Sequence, residues 1–242
     1  GKASLFQLID TTATKEGEER LASLLLAREA NFPEASKKRQ EAVRELSTLL
    51  DFREELAVLG GVVGSEKADP SKAIAWASTG EPLRISIAVK ALARFAPIST
   101  ILLFILGRMQ MVHSWAWVGP AVVGMVVTAA HRQVGEALQV VGEAERTHSG
   151  FTRMFELCER TEFTSELLRG LRDRLLQSGS RASTEMNRLE RIVGFVDARH
   201  NEIFRLFIAP LFWWDLNCAL ALDGWRARIS SSVKGWFGAL YE

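Results

Sequence analysis

Side chains that could do covalent chemistry or hold a metal are few in this sequence and poorly spaced for either task. Ser231 and Lys234 have the S-x-x-K spacing of a serine nucleophile and its lysine, but the companion motifs of such enzymes are missing. Cys158 and Cys218 are isolated thiols without C-x-x-C spacing, which indicates a reducing compartment. No histidine has a carboxylate partner four residues away along the chain; the histidines are His113, His131, His148 and His200. We therefore expect neither a catalytic nucleophile nor a metal site in this chain.

Nucleotide and nucleic-acid signals are equally sparse. The G-x-x-x-x-G-K-[ST] phosphate loop of ATPases occurs nowhere in the sequence. The formal net charge is +1, from 30 basic and 29 acidic side chains, whereas a segment that grips a phosphate backbone by itself usually carries a basic stripe. We therefore expect no cofactor in this chain, no nucleotide hydrolysis by it, and only weak, non-specific binding to duplex DNA.

Helical periodicity is the main secondary-structure signal along the sequence. Apolar residues recur at spacings of three and four, and neither an alternating strand pattern nor an Asn-Gly hairpin is found. The pattern predicts an all-α fold in three parts. Residues 1–83 form an N-terminal helical core subdomain, residues 84–132 an apolar helical hairpin, and residues 133–242 a region of long antiparallel helices. Gly80 and Pro82 mark the first boundary.

Helix signals subdivide the first part. A helix over residues 4–10 ends in a threonine turn, and Thr14 is the expected N-cap of a second helix whose first turn is acidic. In the third helix, the apolar spacing predicts that Val43, Leu46 and Leu50 face inward.

Glycines and a proline divide the rest of this part. Residues 51–54 resemble a capping box, which predicts a short helix that Gly60 and Gly61 end. We expect a polar loop over residues 62–69 and another short helix over 70–78.

Two long helices are expected at the end of the chain, over residues 181–209 and 210–240, after a short helix over 165–177. One apolar stripe runs along the last helix: Leu211, Trp214, Cys218, Leu222, Trp225, Ile229, Val233 and Trp236. The expected inward residues of its partner helix are Leu189, Ile192, Val196 and Ile203. The charge cluster over 185–191 is typical of a solvated helix face, and Arg226 is expected at the surface.

Spaced motifs near the N-terminus carry a family resemblance. Residues 4–9 read Ser-Leu-Phe-Gln-Leu-Ile, a T-x-T turn and a glycine follow, then L-x-x-x-L, and later a helix reads R-Q-x-A-V-x-E-L. The matching residues are Thr12, Thr14, Gly17, Leu21, Arg39, Gln40, Ala42 and Val43. This order resembles the opening of the helical core domain of the MutS family of mismatch-repair ATPases, in its short bacterial branch without a mismatch-reading domain. Further matching stretches lie over 162–236.

The resemblance implies a role, and partners with it. In the MutS family this region is a lever that links the ATPase to the DNA-facing parts, so ATP and Mg²⁺ are expected in an ATPase domain of the same parent chain. DNA and a second copy of the protein are further candidate partners, and the expected location is cytoplasmic.

Two features of mismatch-reading members are missing, and they put direct DNA contact in doubt. Phe-x-Glu, the letters of the mismatch wedge, occurs at residues 32–34 and 52–54, but both lie inside the helical core motif. The junctions at 178–180 and 209–210 leave no room for the β-rich insertion with which family members clamp DNA.

The apolar middle of the chain has two interpretations. Residues 112–130 contain no full charge over 19 positions, close to the ~20 that a membrane-spanning helix needs. Trp115 and Trp117 stand at its start, where an interfacial aromatic belt would place them, whereas residues 95–107 are short for a span. The alternative is a pair of helices buried in a soluble core, but 242 residues offer little protein to wrap them.

We therefore favour a membrane hairpin. The basic residues Lys90, Arg94 and Arg132 would lie on one side and Arg108 on the other, which places both ends in the cytoplasm. A membrane-anchored helical scaffold with no nucleic-acid role is the alternative function, at the cytoplasmic face of a membrane.

Overall fold

The computed structural model describes residues 4–26, 33–65, 70–79, 81–143, 148–176, 180–198 and 201–242. Within these ranges the chain is helical and contains no strand, which confirms the all-α prediction. The helices are α1 (Leu5–Ile9), α2 (Lys15–Leu25), α3 (Pro33–Thr48), α4 (Leu50–Ser65), α5 (Pro70–Thr79), α6 (Ile87–Arg108), α7 (Val118–Ala130), α8 (Arg132–Glu143), α9 (His148–Arg160), α10 (Glu166–Leu176), α11 (Ala182–Asp197), α12 (Ala209–Leu211), α13 (Trp214–Ile229) and α14 (Val233–Tyr241). A π-helical turn, Phe204–Ile208, precedes α12.

The helices cluster into two compact units, each built from separate stretches of chain. Unit 1 contains residues 1–74, 146–187 and 229–242, and unit 2 contains residues 75–145 and 188–228. Each unit is described by itself below.

The threonine turn of unit 1 explains how α4 packs. The Thr14 side chain accepts a hydrogen bond from the amide of Gly17 at 3.2 Å, which confirms Thr14 as the N-cap of α2. A Cβ atom on Gly64 would lie 2.1 Å from the carbonyl oxygen of Ala13, so the turn approaches α4 too closely for any larger residue. The prediction that Gly60 and Gly61 end this helix is wrong, because α4 continues to Ser65.

That close approach gives a reason for the glycine-rich end of α4. A run of glycines lowers helix propensity by about 1 kcal/mol for each residue, and packing against a neighbour can offset this cost. The predicted loop over 62–69 is therefore helical as far as residue 65, and residues 66–69 lie outside the described ranges.

The buried face of α3 is displaced by one position from the prediction. Ala42 is 4% exposed, whereas Val43 and Leu50 are exposed by 64% and 59%, so the inward assignment of these two residues is wrong. The inward face of α3 instead combines Arg39, Ala42 and half-buried Leu46, at helical spacings of three and four. α3 packs against α10 in unit 1.

Aromatic rings fill the centre of unit 1. Phe237 of α14 makes edge-to-face contacts with Phe151 and Phe155 of α9, at centroid distances of 5.2 and 5.3 Å. Phe52 and Phe163 form a second such pair at 5.5 Å. The core of unit 1 therefore joins the N-terminal helices to α9 and α14.

Three polar contacts lock the helices of unit 2. Thr100 of α6 donates from its hydroxyl to the carbonyl of Leu211 at 3.1 Å, and Asn217 donates to the carbonyl of Ala93 at 3.1 Å. The indole of Trp213 donates to the carbonyl of Pro120 at 2.8 Å. These bonds hold α6 and α7 against the C-terminal helices, while the large apolar side chains of α6 and α7 stay exposed or half-buried.

The two long C-terminal helices are interrupted, contrary to the prediction. The first of them, α11, ends at Asp197, and the second bends by 69° between residues 204–211 and α13, then turns again before α14. Pro210 supplies no amide for the helical ladder, which is consistent with the wide π turn before it, and Trp213 takes a φ of 50° at the bend. Residues 177–179, where the predicted junction at 178–180 falls in part, and residues 199–200, inside the first predicted long helix, lie outside the described ranges.

Most of the predicted C-terminal stripe is buried despite these breaks. Six of its residues are less than 9% exposed: Cys218, Leu222, Trp225, Ile229, Val233 and Trp236. On α11, Leu189, Ile192 and Val196 are buried as expected. Ile203, also expected inward, lies beyond the end of α11 and is 69% exposed, so its assignment is wrong. The burial of these stripe residues was predicted correctly, but the single continuous helix was not, because periodicity does not reveal a bend.

Candidate functional site

One of the residues that carry the family resemblance, Arg39, takes part in a joint in unit 1, which we call the Glu242 joint. Arg20 of α2 and Arg39 of α3 both form ion pairs with the carboxylate of Glu242, directly after α14. The Arg39–Glu242 distance is 2.8 Å, and the three side chains are exposed by 20 to 32%. Three elements that are far apart in sequence are thus held at one half-buried carboxylate.

Two of the remaining motif residues, Thr12 and Gly17, make local contacts at the threonine turn and the start of α2. Thr12 donates to the carboxylate of Asp10 from its hydroxyl at 2.6 Å and from its amide at 3.0 Å, and these bonds lower the pKa of Asp10. Gly17 lies against the capping hydroxyl, where an added Cβ atom would meet Thr14 Oγ1 at 3.1 Å. Leu21 is half-buried, and Gln40 and Val43 are exposed.

Glu45, at the end of the R-Q-x-A-V-x-E-L motif, makes a contact that the sequence did not reveal. Its carboxylate accepts the amides of Thr164 and Ser165 at 2.5 and 2.7 Å, ahead of α10. Burial opposes its ionisation, but these hydrogen bonds outweigh burial and lower the pKa of Glu45 to about 2. Glu45 therefore ties α3 to the start of α10 as an anion.

Unit 2 carries an extensive apolar surface, which we define by its residues. They are large apolar side chains, each between 38% and 70% exposed: Leu92, Phe95, Ile98, Ile101, Leu102, Phe104, Ile105, Met109, Met111, Trp115, Val122, Val123, Met125, Val126, Ile203, Leu206, Phe207 and Ile208. In the most apolar 18-residue window of α6, only 17% of residues are buried. The alternative of a core helix packed on all sides does not fit α6, because such a helix would be mostly buried.

The helical lengths in this region are the reverse of those expected. The first helix, α6, has 22 residues, and Ser86 caps its start by accepting the amide of Val89 at 3.3 Å. The second, α7, has 13 residues, and the chain ahead of it forms turns, so the predicted helix over 112–130 is wrong in its first third. Among the helices that the structure describes, only α6 is long and apolar enough to cross a membrane by itself. The bent pair of helices over 204–229 would be a second candidate if the pair forms one span.

The two predicted belt tryptophans lie in the turns between α6 and α7. Trp115 is 67% exposed and stacks on half-buried Trp117 at a centroid distance of 6.3 Å. Trp117 also contacts Phe104 edge to face at 6.3 Å. The structure thus groups the aromatic residues at the tip of the α6–α7 pair.

Arg226 is buried, which corrects its assignment to the surface. It is 5% exposed, donates to the carbonyl of Glu81, and forms an ion pair with Asp223 at 2.6 Å. Its guanidinium lies 5.4 Å from the centre of the Trp76 ring. Glu185 is also buried, at 4% exposed, so the cluster over 185–191 is not a fully solvated face. The burial of Arg226 and Glu185 was not predicted, because the sequence composition does not distinguish a charged side chain that is paired in the core from one that is solvated.

The remaining candidate chemical groups are not assembled into a site. The Ser231 hydroxyl lies 3.5 Å from that of Ser232, and Lys234 is exposed. Burial, with a smaller contribution from Glu159, raises the pKa of the Cys158 thiol to about 12. In the part of the chain that the structure describes, no group of three His, Cys, Asp or Glu side chains is placed to hold a metal ion. His200 lies outside that part.

Comparison with known proteins adds no assignment to this geometry. No protein-family model, no curated protein and no solved structure matches the chain.

Proposed function

We propose that this chain is the helical core and lever segment of a MutS-like DNA mismatch-repair ATPase. Its role is to couple an ATP-binding domain of the parent protein to conformational change, and through that change to DNA. The observation that carries the proposal is the Glu242 joint, because two motif-bearing helices hold the end of α14 through one carboxylate. A coupling segment needs such a connection between distant parts of the chain.

The physical basis is a stiff path between α14 and the N-terminal helices. Displacement of Glu242 moves Arg20 and Arg39 with it, because the half-buried ion pairs are less screened than exposed ones. Glu45 passes the same displacement from α3 to α10. Phe237 links α14 to α9 from the other side. Unit 1 thus moves as a packed body when α14 is pulled.

The test uses the full-length protein with spectroscopic labels on α3 and in the ATP-binding domain. We expect Mg-ATP to change the distance between the labels, and Arg39→Gln to reduce that change while ATP turnover persists. Lys37→Gln is the matched control, since Lys37 is an exposed cation on the same helix. An Arg39 variant that couples as well as the Lys37 variant would refute the role of the joint.

A second function, membrane anchoring, is favoured by the apolar surface of unit 2. At 1.5 Å per residue α6 extends about 33 Å, which matches a hydrocarbon core of about 30 Å. Lys90 and Arg94 lie near its start and Arg108 at its end, and all three are exposed. The return helix α7 extends only about 20 Å, so its turns, with Trp115, and local thinning of the bilayer complete the crossing. Anchoring and coupling are compatible, because they use different units.

Carbonate extraction tests the anchoring directly. We expect the full-length protein to stay with the membrane pellet, and a variant that lacks residues 95–130 to be released. If both are released equally, the apolar surface contacts something other than lipid. If both remain in the pellet, another part of the parent protein provides the anchor.

A further inference from the structure

A groove in unit 2 lies between α7 and the bent segment around α12. It has a volume of about 310 Å³, and its lining includes Thr128, Ala129, Arg205, Leu206 and Trp213. This volume is at the lower end of the range for small-molecule sites, and the lining is mainly apolar, as it is in such sites. The groove is therefore large enough for part of a ligand with an apolar body.

The groove continues into the apolar surface. Met125 and Leu206 belong to both, and they are exposed by 68% and 70%. A ligand that lies partly in the groove would thus extend along side chains that we propose to face lipid. An acyl chain fits this path, because it is apolar along its length and flexible.

Arg205 gives the groove its charge preference. Its side chain is exposed among Ile203, Leu206 and Phe207, and it forms no ion pair with any residue that the structure describes. Asp215 also lines the groove but is half-buried and makes no ion pair with Arg205. A guanidinium at an apolar rim is suited to a phosphate, which it can bind through two parallel hydrogen bonds.

The position along α7 is consistent with a headgroup at this rim. Thr128 and Ala129 are near the C-terminal end of α7, and the exposed Arg132 follows directly. That end belongs to the predicted cytoplasmic side of the hairpin, with Lys90 and Arg94. A phosphate near Arg205 would then lie at headgroup depth, and an acyl chain would run towards Met125 and the middle of α7.

We propose that the groove binds one anionic glycerophospholipid, with its phosphate on Arg205 and an acyl chain against α7. This inference rests on the proposed membrane anchoring. It adds to anchoring a defined lipid site, which would orient unit 2 in the bilayer. The cation is exposed and the groove is open along one side, so the lipid can enter from within the membrane.

The test measures which lipids the full-length protein retains. The protein is reconstituted in vesicles of phosphatidylcholine with or without phosphatidylglycerol, extracted into detergent and examined by native mass spectrometry. We expect one retained phosphatidylglycerol. Charge-assisted hydrogen bonds contribute about 1.5–3 kcal/mol, so Arg205→Gln should lower its retention at least about tenfold. Ala129→Phe, which fills the groove without changing charge, should lower it similarly.

Lys90→Gln is the matched control, because Lys90 is an exposed cation on the same proposed side but does not line the groove. It should change retention less than about twofold, since detergent removes the surface potential of the membrane. Equal losses in the Lys90 and Arg205 variants, equal retention of phosphatidylcholine, or displacement of the lipid by inorganic phosphate alone would each overturn the site. Flotation with pure phosphatidylcholine vesicles checks anchoring separately: a protein that floats but retains no anionic lipid keeps the anchor and loses the site.

Discussion

A charge at the middle of α6 distinguishes a lipid-facing helix from a soluble one. Ile98 is at the midpoint of the 22-residue helix and is 63% exposed. Ile98→Asp therefore puts a carboxylate where a bilayer would be thickest. In water the same change affects an exposed side chain, and such substitutions usually alter stability by less than about 0.5 kcal/mol.

The size of the membrane effect follows from transfer energies. An Asp at the centre of a spanning helix costs about 2.5–3.5 kcal/mol, and the lost Ile contributed about 0.3–0.6 kcal/mol. The substitution should thus disfavour insertion by about 3–4 kcal/mol, which is a factor of roughly 100 to 1,000 in the insertion equilibrium. Ile87→Asp is the control: it makes the same chemical change at the first residue of α6, at interface depth, where an acidic residue also favours the helix dipole.

The assay measures the inserted fraction by glycosylation mapping or carbonate extraction of the full-length protein. We expect Ile98→Asp to abolish insertion or to prevent accumulation of the protein. The Ile87→Asp variant should insert nearly as well as the unsubstituted protein. If both variants insert equally well, or if Ile98→Asp only makes the protein more soluble, then α6 does not face lipid and the apolar surface has another partner.

Three further outcomes are expected. Glu45→Gln should lower the free energy of unfolding by about 1–3 kcal/mol at pH 7, because the pKa of Glu45 in the folded protein, about 2, is below its ordinary value of 4.5. This stabilisation is complete above pH 4.5 and disappears as the pH falls towards 2. Urea unfolding should therefore show Glu45→Gln less stable than the control Glu41→Gln at pH 7, and the two equally stable in acid. Arg226→Ala should lower the free energy of unfolding by about 3–5 kcal/mol, because it removes one member of a buried ion pair, and Trp225→Ala should cost about as much. Arg84→Ala, in an exposed ion pair, should cost under about 1 kcal/mol. Equal unfolding midpoints for the two arginine variants would contradict the burial of Arg226. Residues 1–242 alone should neither hydrolyse ATP nor gain thermal stability from Mg-ATP, since the phosphate loop is missing from the sequence, and they should bind matched and mismatched duplexes equally weakly in a titration.

The fold class and several local features were predictable from the sequence, because they depend on near neighbours in the chain. Helical spacing predicted the all-α class, and the threonine with acidic residues after it predicted the cap at Thr14. Burial of Leu222, Trp225 and Trp236 followed from the same periodicity. Each of these features is decided within one or two helical turns.

Features that depend on distant segments were not predictable in the same way. The Glu242 joint brings Arg20 and Arg39 to a carboxylate more than 200 positions away, and the local spacing of apolar residues cannot predict such a contact. Arg226 was placed at the surface because an arginine on a helix is usually solvated, whereas here Asp223 and Trp76 accommodate it. Pro210 is a local sequence signal for the bend before α13, but the hydrogen bond from Trp213 to the carbonyl of Pro120 joins residues 93 positions apart, which periodicity cannot predict.

The central proposal, that this chain is the coupling segment of a MutS-like ATPase, is tested most directly by ATP turnover of the full-length protein with and without duplex DNA. We expect Mg-ATP hydrolysis that DNA alters, and a smaller effect of DNA when Arg39→Gln weakens the Glu242 joint. Absence of Mg-ATP hydrolysis under both conditions would contradict it, and the membrane-anchored scaffold would then be the function that the structure supports.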